Sequence, residues 1–71
     1  MKVTAIFEQD EGWWIAWTEE LRGPVGQGRT RDECRESLME AVGQTLAFMH
    51  EEAERRIEGR SVVRERIRVA S

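Results

Sequence analysis

The run WWIAWT, Trp13–Thr18, sets the tightest limit on what this chain can fold into. Its aromatic and β-branched residues favour a β-strand, where successive side chains point to opposite faces of a sheet. Trp14 and Ala16 then lie on one face, and Trp13, Ile15 and Trp17 on the other. Both faces are apolar, so both need cover. The rest of the 71-residue chain holds only one long helical pattern, and one helix shields one face of a sheet. One tryptophan-bearing face is left over.

The neighbouring segments can be arranged around this strand. KVTAIFE (Lys2–Glu8) alternates as a strand, with Val3, Ala5 and Phe7 on one face and Thr4, Ile6 and Glu8 on the other. QDEG (Gln9–Gly12) supplies turn residues. Setting Glu8 opposite Trp13 makes Phe7 face Trp14, Ala5 face Ala16, Ile6 meet Ile15 and Thr4 meet Trp17. PVGQG (Pro24–Gly28) reads as a third, short strand with glycine kinks.

Thr30 is the expected N-cap of the helix, and Glu33 three residues on completes a capping box, TRDE. Asp32 and Glu33 also suit the positive end of the helix dipole. Cys34, Leu38, Val42, Thr45, Leu46, Met49 and Ala53 then recur at spacings of three and four, forming one apolar stripe. Gly59 fits the helix stop. VVRERIRV (Val62–Val69) alternates as a last strand, with Val63, Ile67 and Val69 pointing one way and Arg64, Arg66 and Arg68 the other.

The expected fold is therefore α+β, in the order β-β-β-α-β. It is a small, antiparallel-rich sheet with one helix packed on one face, as a single domain over residues 1–71. The helix is assigned to the Phe7/Trp14/Ala16 face, because Ala16 leaves room for close approach. Ile6, Trp13, Ile15 and Trp17 then form an apolar patch of the kind that marks an interface.

Size and charge narrow the function classes. A domain this small buries only about 60% of its unfolded surface, and its single Cys allows no intrachain disulfide framework. Association into a dimer is expected. A net charge of −3 and a pI near 5.2 argue against general nucleic-acid binding. The N-terminal apolar run is too short for a signal peptide, and nothing approaches the ~20 apolar residues of a membrane span. A cytoplasmic protein with no membrane association is expected.

RGPVGQGRTRDEC (Arg22–Cys34) places glycines before a helix N-terminus, an arrangement that can cradle phosphate. A P-loop also requires Lys and Ser/Thr after the last glycine. Here the spacing is G-x-x-G-x-G, no lysine follows, and Asp32 and Glu33 would repel an anion. The glycines read as strand and turn. Asp10, Glu11, Glu19 and Glu20 read as solvated loop charges, although Asp10 with Glu20 is the pair a small metal-dependent nuclease would need. His50 reads as a boundary residue and Cys34 as a small core residue. No catalytic residue, metal or cofactor is expected. Arg64, Arg66 and Arg68 could meet RNA or an acidic partner, or pair with the acidic helix; both readings stay open.

Taken in order, GWWIAWTEELRGPVGQGRTRDECRESLMEAV resembles the HicB family of antitoxins. The matching positions are Gly12, Trp14, Ile15 and Ala16, then Glu20, Leu21 and Gly23, then Val25, Gln27 and Gly28, and finally Thr30 with Glu33. Arg22 and Pro24 depart from the usual corner. The resemblance implies a partial RNase H-like fold without catalysis, in a protein that binds a HicA-like toxin, a small mRNA-cleaving protein, and blocks its active site. It stops short of the C-terminal DNA-binding segment that many members carry, so operator binding is not expected. The expected function is a non-enzymatic antitoxin-type domain that masks a toxin or other partner. Trp13, Ile15 and Trp17 would be its apolar anchors within an interface that includes Ile6, and Arg64, Arg66 and Arg68 would lie at the rim. The alternatives are a stand-alone homodimeric domain with an RNA-binding role, or the nuclease.

Overall fold

The computed structural model describes residues 2–70. Three strands, β1 (Ala5–Asp10), β2 (Trp13–Thr18) and β3 (Val25–Gly28), precede one helix, α1 (Arg31–Ile57). The sheet order is β1-β2-β3 and both pairings are antiparallel. The fold is α+β, with the helix across the face that carries Phe7, Trp14 and Ala16.

The β1–β2 register differs by two residues from the sequence expectation. Asp10, not Glu8, lies opposite Trp13, so Phe7 pairs with Ala16 and Ile6 with Trp17. The cause is the turn, which uses only Glu11 (φ 47°) and Gly12 (φ 84°). Two consecutive residues at positive φ give a twist that matches the flanking strands, and a two-residue connection lets the ladder continue to Asp10. A slip of two preserves side-chain facing. Phe7 still reaches Trp14, now diagonally, in an edge-to-face contact with ring centroids 6.5 Å apart.

Gly26 and Gly28 let the helix lie directly on β3. A Cβ built on Gly26 would sit 2.6 Å from both the Cys34 carbonyl oxygen and the Leu38 amide nitrogen. One on Gly28 would sit 2.7 Å from the Cys34 nitrogen. These are backbone atoms and cannot swing aside. The closest packing accordingly lies here, where Cys34 and Ala16 are fully buried and Leu38 nearly so. The helix start is held as its sequence suggests. The Glu33 N–H donates to Thr30 Oγ1 at 3.1 Å, and the Arg29 N–H donates to Glu33 Oε2 at 2.9 Å. The Glu33 carboxylate thus occupies the position an anion would take, and the glycine loop is a structural device.

Beyond this core the apolar stripe stops being buried midway along α1, where Met49 is 51% exposed. The helix has 27 residues, about 40 Å at 1.5 Å per residue, and it outruns a sheet of four- to six-residue strands. The molecule measures 52 × 27 × 15 Å with a radius of gyration of 15.8 Å, against roughly 11 Å for a compact domain of this length. Nor do Val62–Val69 form a strand: among the described residues the sheet has three strands only. The overhanging helix delivers this tail far from the sheet. It turns at Gly59, returns beside the helix, and pairs Arg64 with Glu54.

Substituting Gly26 by Ala forces a methyl into the α1 backbone, and overpacking of this kind costs about 1–3 kcal/mol. We expect urea unfolding of Gly26→Ala to show a loss near the upper end of that range. A midpoint unchanged from the parent would mean that the helix is not seated on β3.

Candidate functional site

The uncovered face of the sheet follows from the period-two alternation on all three strands. Register places its residues in three rows. Ile6, Trp17 and Val25 cross β1, β2 and β3 in the first row. Glu8, Ile15 and Gln27 form the second, and Asp10 lies beside Trp13 in the third. Trp17 is 38% exposed, Trp13 45% and Val25 57%, with Ile6 and Ile15 half-buried between them. Cross-strand neighbours of this kind support one another's rotamers, so the face is a set surface. The four apolar residues singled out in the sequence therefore lie together on it.

Two contributors were not singled out from sequence. Val25 extends the first row, and its outward direction follows once Gly26 and Gly28 are seen to face the helix. Arg29 lies with its guanidinium carbon 5.1 Å from the centroid of the Trp13 ring, within cation–π range. It follows β3 directly, and nothing in the sequence pattern selects it over Arg22 or Arg31. Arg31 makes the corresponding contact at the other sheet face, 5.0 Å from the Phe7 ring. Arg29 holds Trp13 in place while leaving nearly half of it accessible.

The corner after β2 is pinned by two clips. Buried Thr18 donates its hydroxyl to the Leu21 carbonyl at 2.8 Å and accepts from the Leu21 N–H at 3.1 Å. Glu20 accepts from the Thr4 N–H at 2.7 Å and from the Thr4 hydroxyl at 2.8 Å. These bonds, the backbone one first, hold the Glu20 carboxyl below its ordinary 4.5. The corner thereby frames the first row of the apolar face.

Arg64, Arg66 and Arg68 do not join the tryptophans within one chain. Arg64 pairs with Glu54 and draws that carboxyl down, while Arg66 lies in a shallow depression bordered by His50 and Ala53 near the helix end. With no fourth strand beside β1, the expected rim of the face is not made by the chain's own tail. The nuclease pair is also separated. Asp10 ends β1, whereas Glu20 is bonded to Thr4 just before β1 begins. Five strand steps of 3.3–3.4 Å put about 17 Å between those ends, far beyond the ~4 Å spacing of two metal ions sharing a site. Among the described residues no three His, Cys, Asp or Glu side chains could together hold a metal ion. Cys34 is buried, which pushes its thiol above the ordinary value.

No family model, curated protein or solved structure matches the chain. No helix among the described residues is long and apolar enough to cross a membrane.

The Glu20 clip has a pH signature. A carboxyl with a depressed folded-state pKa contributes stability above its unfolded value, here about 4.5, and loses it as pH falls through the folded value. The parent is expected to weaken below pH 4.5 in part through this group. Comparing urea midpoints at pH 7 and pH 3, Glu20→Gln should lose less stability between the two than the parent. An equal loss would show that the clip does not contribute.

Proposed function

We propose that this chain is a non-enzymatic, HicB-like antitoxin-type domain that acts by covering a partner's working surface with its open sheet face. The observation that carries the reading is the Ile6–Trp17–Val25 row, continued by Ile15 and Trp13. A monomeric protein of this size gains nothing from leaving two tryptophans accessible, and tryptophan is among the residues that dominate binding energy when buried at an interface. The Thr18–Leu21 corner, the Arg29–Trp13 stack and the cross-strand pairs hold these side chains before any partner arrives. Such preorganisation lowers the ordering cost of association.

The chemistry of the partner follows from the charge. A domain of net charge −3 favours encounter with a small basic protein, since long-range attraction raises association rates. A basic mRNA-cleaving toxin fits that description, and the ordered residue matches from Gly12 to Glu33 support the same reading. Dimerisation of the antitoxin is part of the proposal, and blocking the toxin requires no chemistry from the domain itself.

The test is co-expression with the product of the adjoining reading frame. If the reading holds, that product arrests growth, this chain restores it, and the purified pair binds. Trp17→Glu should weaken binding at least ~30-fold, the equivalent of about 2 kcal/mol for a central aromatic anchor, with loss of growth rescue. A neighbouring product that is harmless and unbound rejects the antitoxin role. Rescue and affinity unchanged in Trp17→Glu would reject the tryptophan face as the binding surface.

A further inference from the structure

A groove runs along the outer edge of β1, between that strand and the first half of α1. Val3, Ala5 and Phe7 form its floor, and Leu38, Val42 and Arg35 its wall; its volume is about 400 Å³. It coincides with an unpaired sheet edge, because among the described residues β1 pairs only with β2. The opposite edge is less open. β3 has four residues, and the Gln27 N–H already donates to Ser37 Oγ at 3.2 Å. A free edge beside an apolar groove is a template for one more strand.

The chain also carries an alternating segment with no place in its own sheet. Val63, Ile67 and Val69 are 96%, 75% and 79% exposed. We propose that Val62–Val69 of a second copy adds as the fourth strand beside β1, each copy lending its tail to the other.

Charge sets the facing of that strand. With Val63, Ile67 and Val69 turned into the groove, Glu65 turns inward with them and meets Arg35 on the groove wall. Arg64, Arg66 and Arg68 then turn to the open face, beside Glu8 and Asp10 of β1, whose side chains point that way. The opposite facing would press three guanidinium groups against Leu38 and leave Glu8 and Asp10 unpaired. Only one facing satisfies both surfaces.

Reach decides whose tail it is. Gly43 is the last helix residue that lines the groove, and Ile57 ends the helix fourteen residues later, roughly 21 Å away at 1.5 Å per residue. Returning that distance takes six or seven extended residues at ~3.3 Å each. The chain's own tail, turning at Gly59, therefore spends residues up to Arg66 on the return, so its Arg64 and Arg66 cannot lie beside Glu8 and Asp10. A second copy has no such restriction. Release of the tail from its own helix gives up the exposed Arg64–Glu54 pair, a weak tie in water. The exchange adds an arginine row beside the tryptophan face, and it stands apart from what that face binds.

Charge reversal tests this by sedimentation of the full chain. One variant carries Glu8→Arg and Asp10→Arg; the other carries Arg64→Glu, Arg66→Glu and Arg68→Glu. All five positions are exposed and outside the core, and helix content by circular dichroism checks that each variant folds. The parent is expected at twice the 8.3 kDa chain mass, and each variant alone at the single-chain mass. Mixed in equal amounts, the two variants should restore the double mass, because each edge then meets a tail of opposite charge. A monomeric parent, a variant that stays dimeric alone, or a mixture that stays monomeric would each overturn the proposal. The second of these results is the one expected if the tryptophan faces, rather than the tails, join the copies.

Discussion

Everything in this molecule depends on how closely α1 can approach β3. Gly26 and Gly28 have no side chains, and the backbone of Cys34 and Leu38 fills the space where Cβ atoms would stand. That contact draws the first three turns of the helix onto the sheet and buries Ala16, Cys34 and Leu38 beneath it. It also fixes which face is covered. Once the helix lies on the glycine side, alternation leaves Val25 and Gln27, and with them Trp17 and Ile15, on the other side. The open face is thus a geometric by-product of the same two glycines, and it carries Ile6, Ile15, Trp13, Trp17 and Val25.

The economy of the core has a second effect. So few residues are fully buried that a single copy has little to spare against chain entropy. The two proposed associations would offer a remedy at separate places, the tryptophan face and the groove along β1. The two lie on different sides of β1, so occupying one leaves the other accessible.

Which parts of this were legible in the sequence follows from the range of the interactions involved. The facing of Phe7, Trp14 and Ala16 against Ile6, Ile15 and Trp17 could be read directly, because it rests on a period of two within each strand. Helix capping by Thr30 and Glu33 was equally local. The β1–β2 register was not, since it turned on Glu11 adopting positive φ, which few non-glycine residues do and no composition signals. The stripe from Cys34 to Ala53 correctly gave the side of the helix that is apolar. It could not report where the sheet beneath ends, and Met49, on the same stripe, lies beyond that end. The alternation of Val62–Val69 was visible as well, but a strand needs a neighbour, and the length of α1 carries this one away from its own sheet. Arg29 over Trp13 depended on where β3 ends, a tertiary fact.

The overhang of α1 means that one helix lives under two regimes. Its first half is locked by tertiary packing and can open only with the domain. Its second half is supported chiefly by its own hydrogen bonds and by exposed pairs such as Arg55 with Glu51 and Glu52, each worth only a few tenths of a kcal/mol. Isolated helical segments of that length are marginal in water. The distal turns can therefore open without unfolding the rest of the domain. Ionic strength, which leaves glycine packing untouched, acts on this outer segment, so salt becomes a means of adjusting how far the arm extends without disturbing the sheet that bears it.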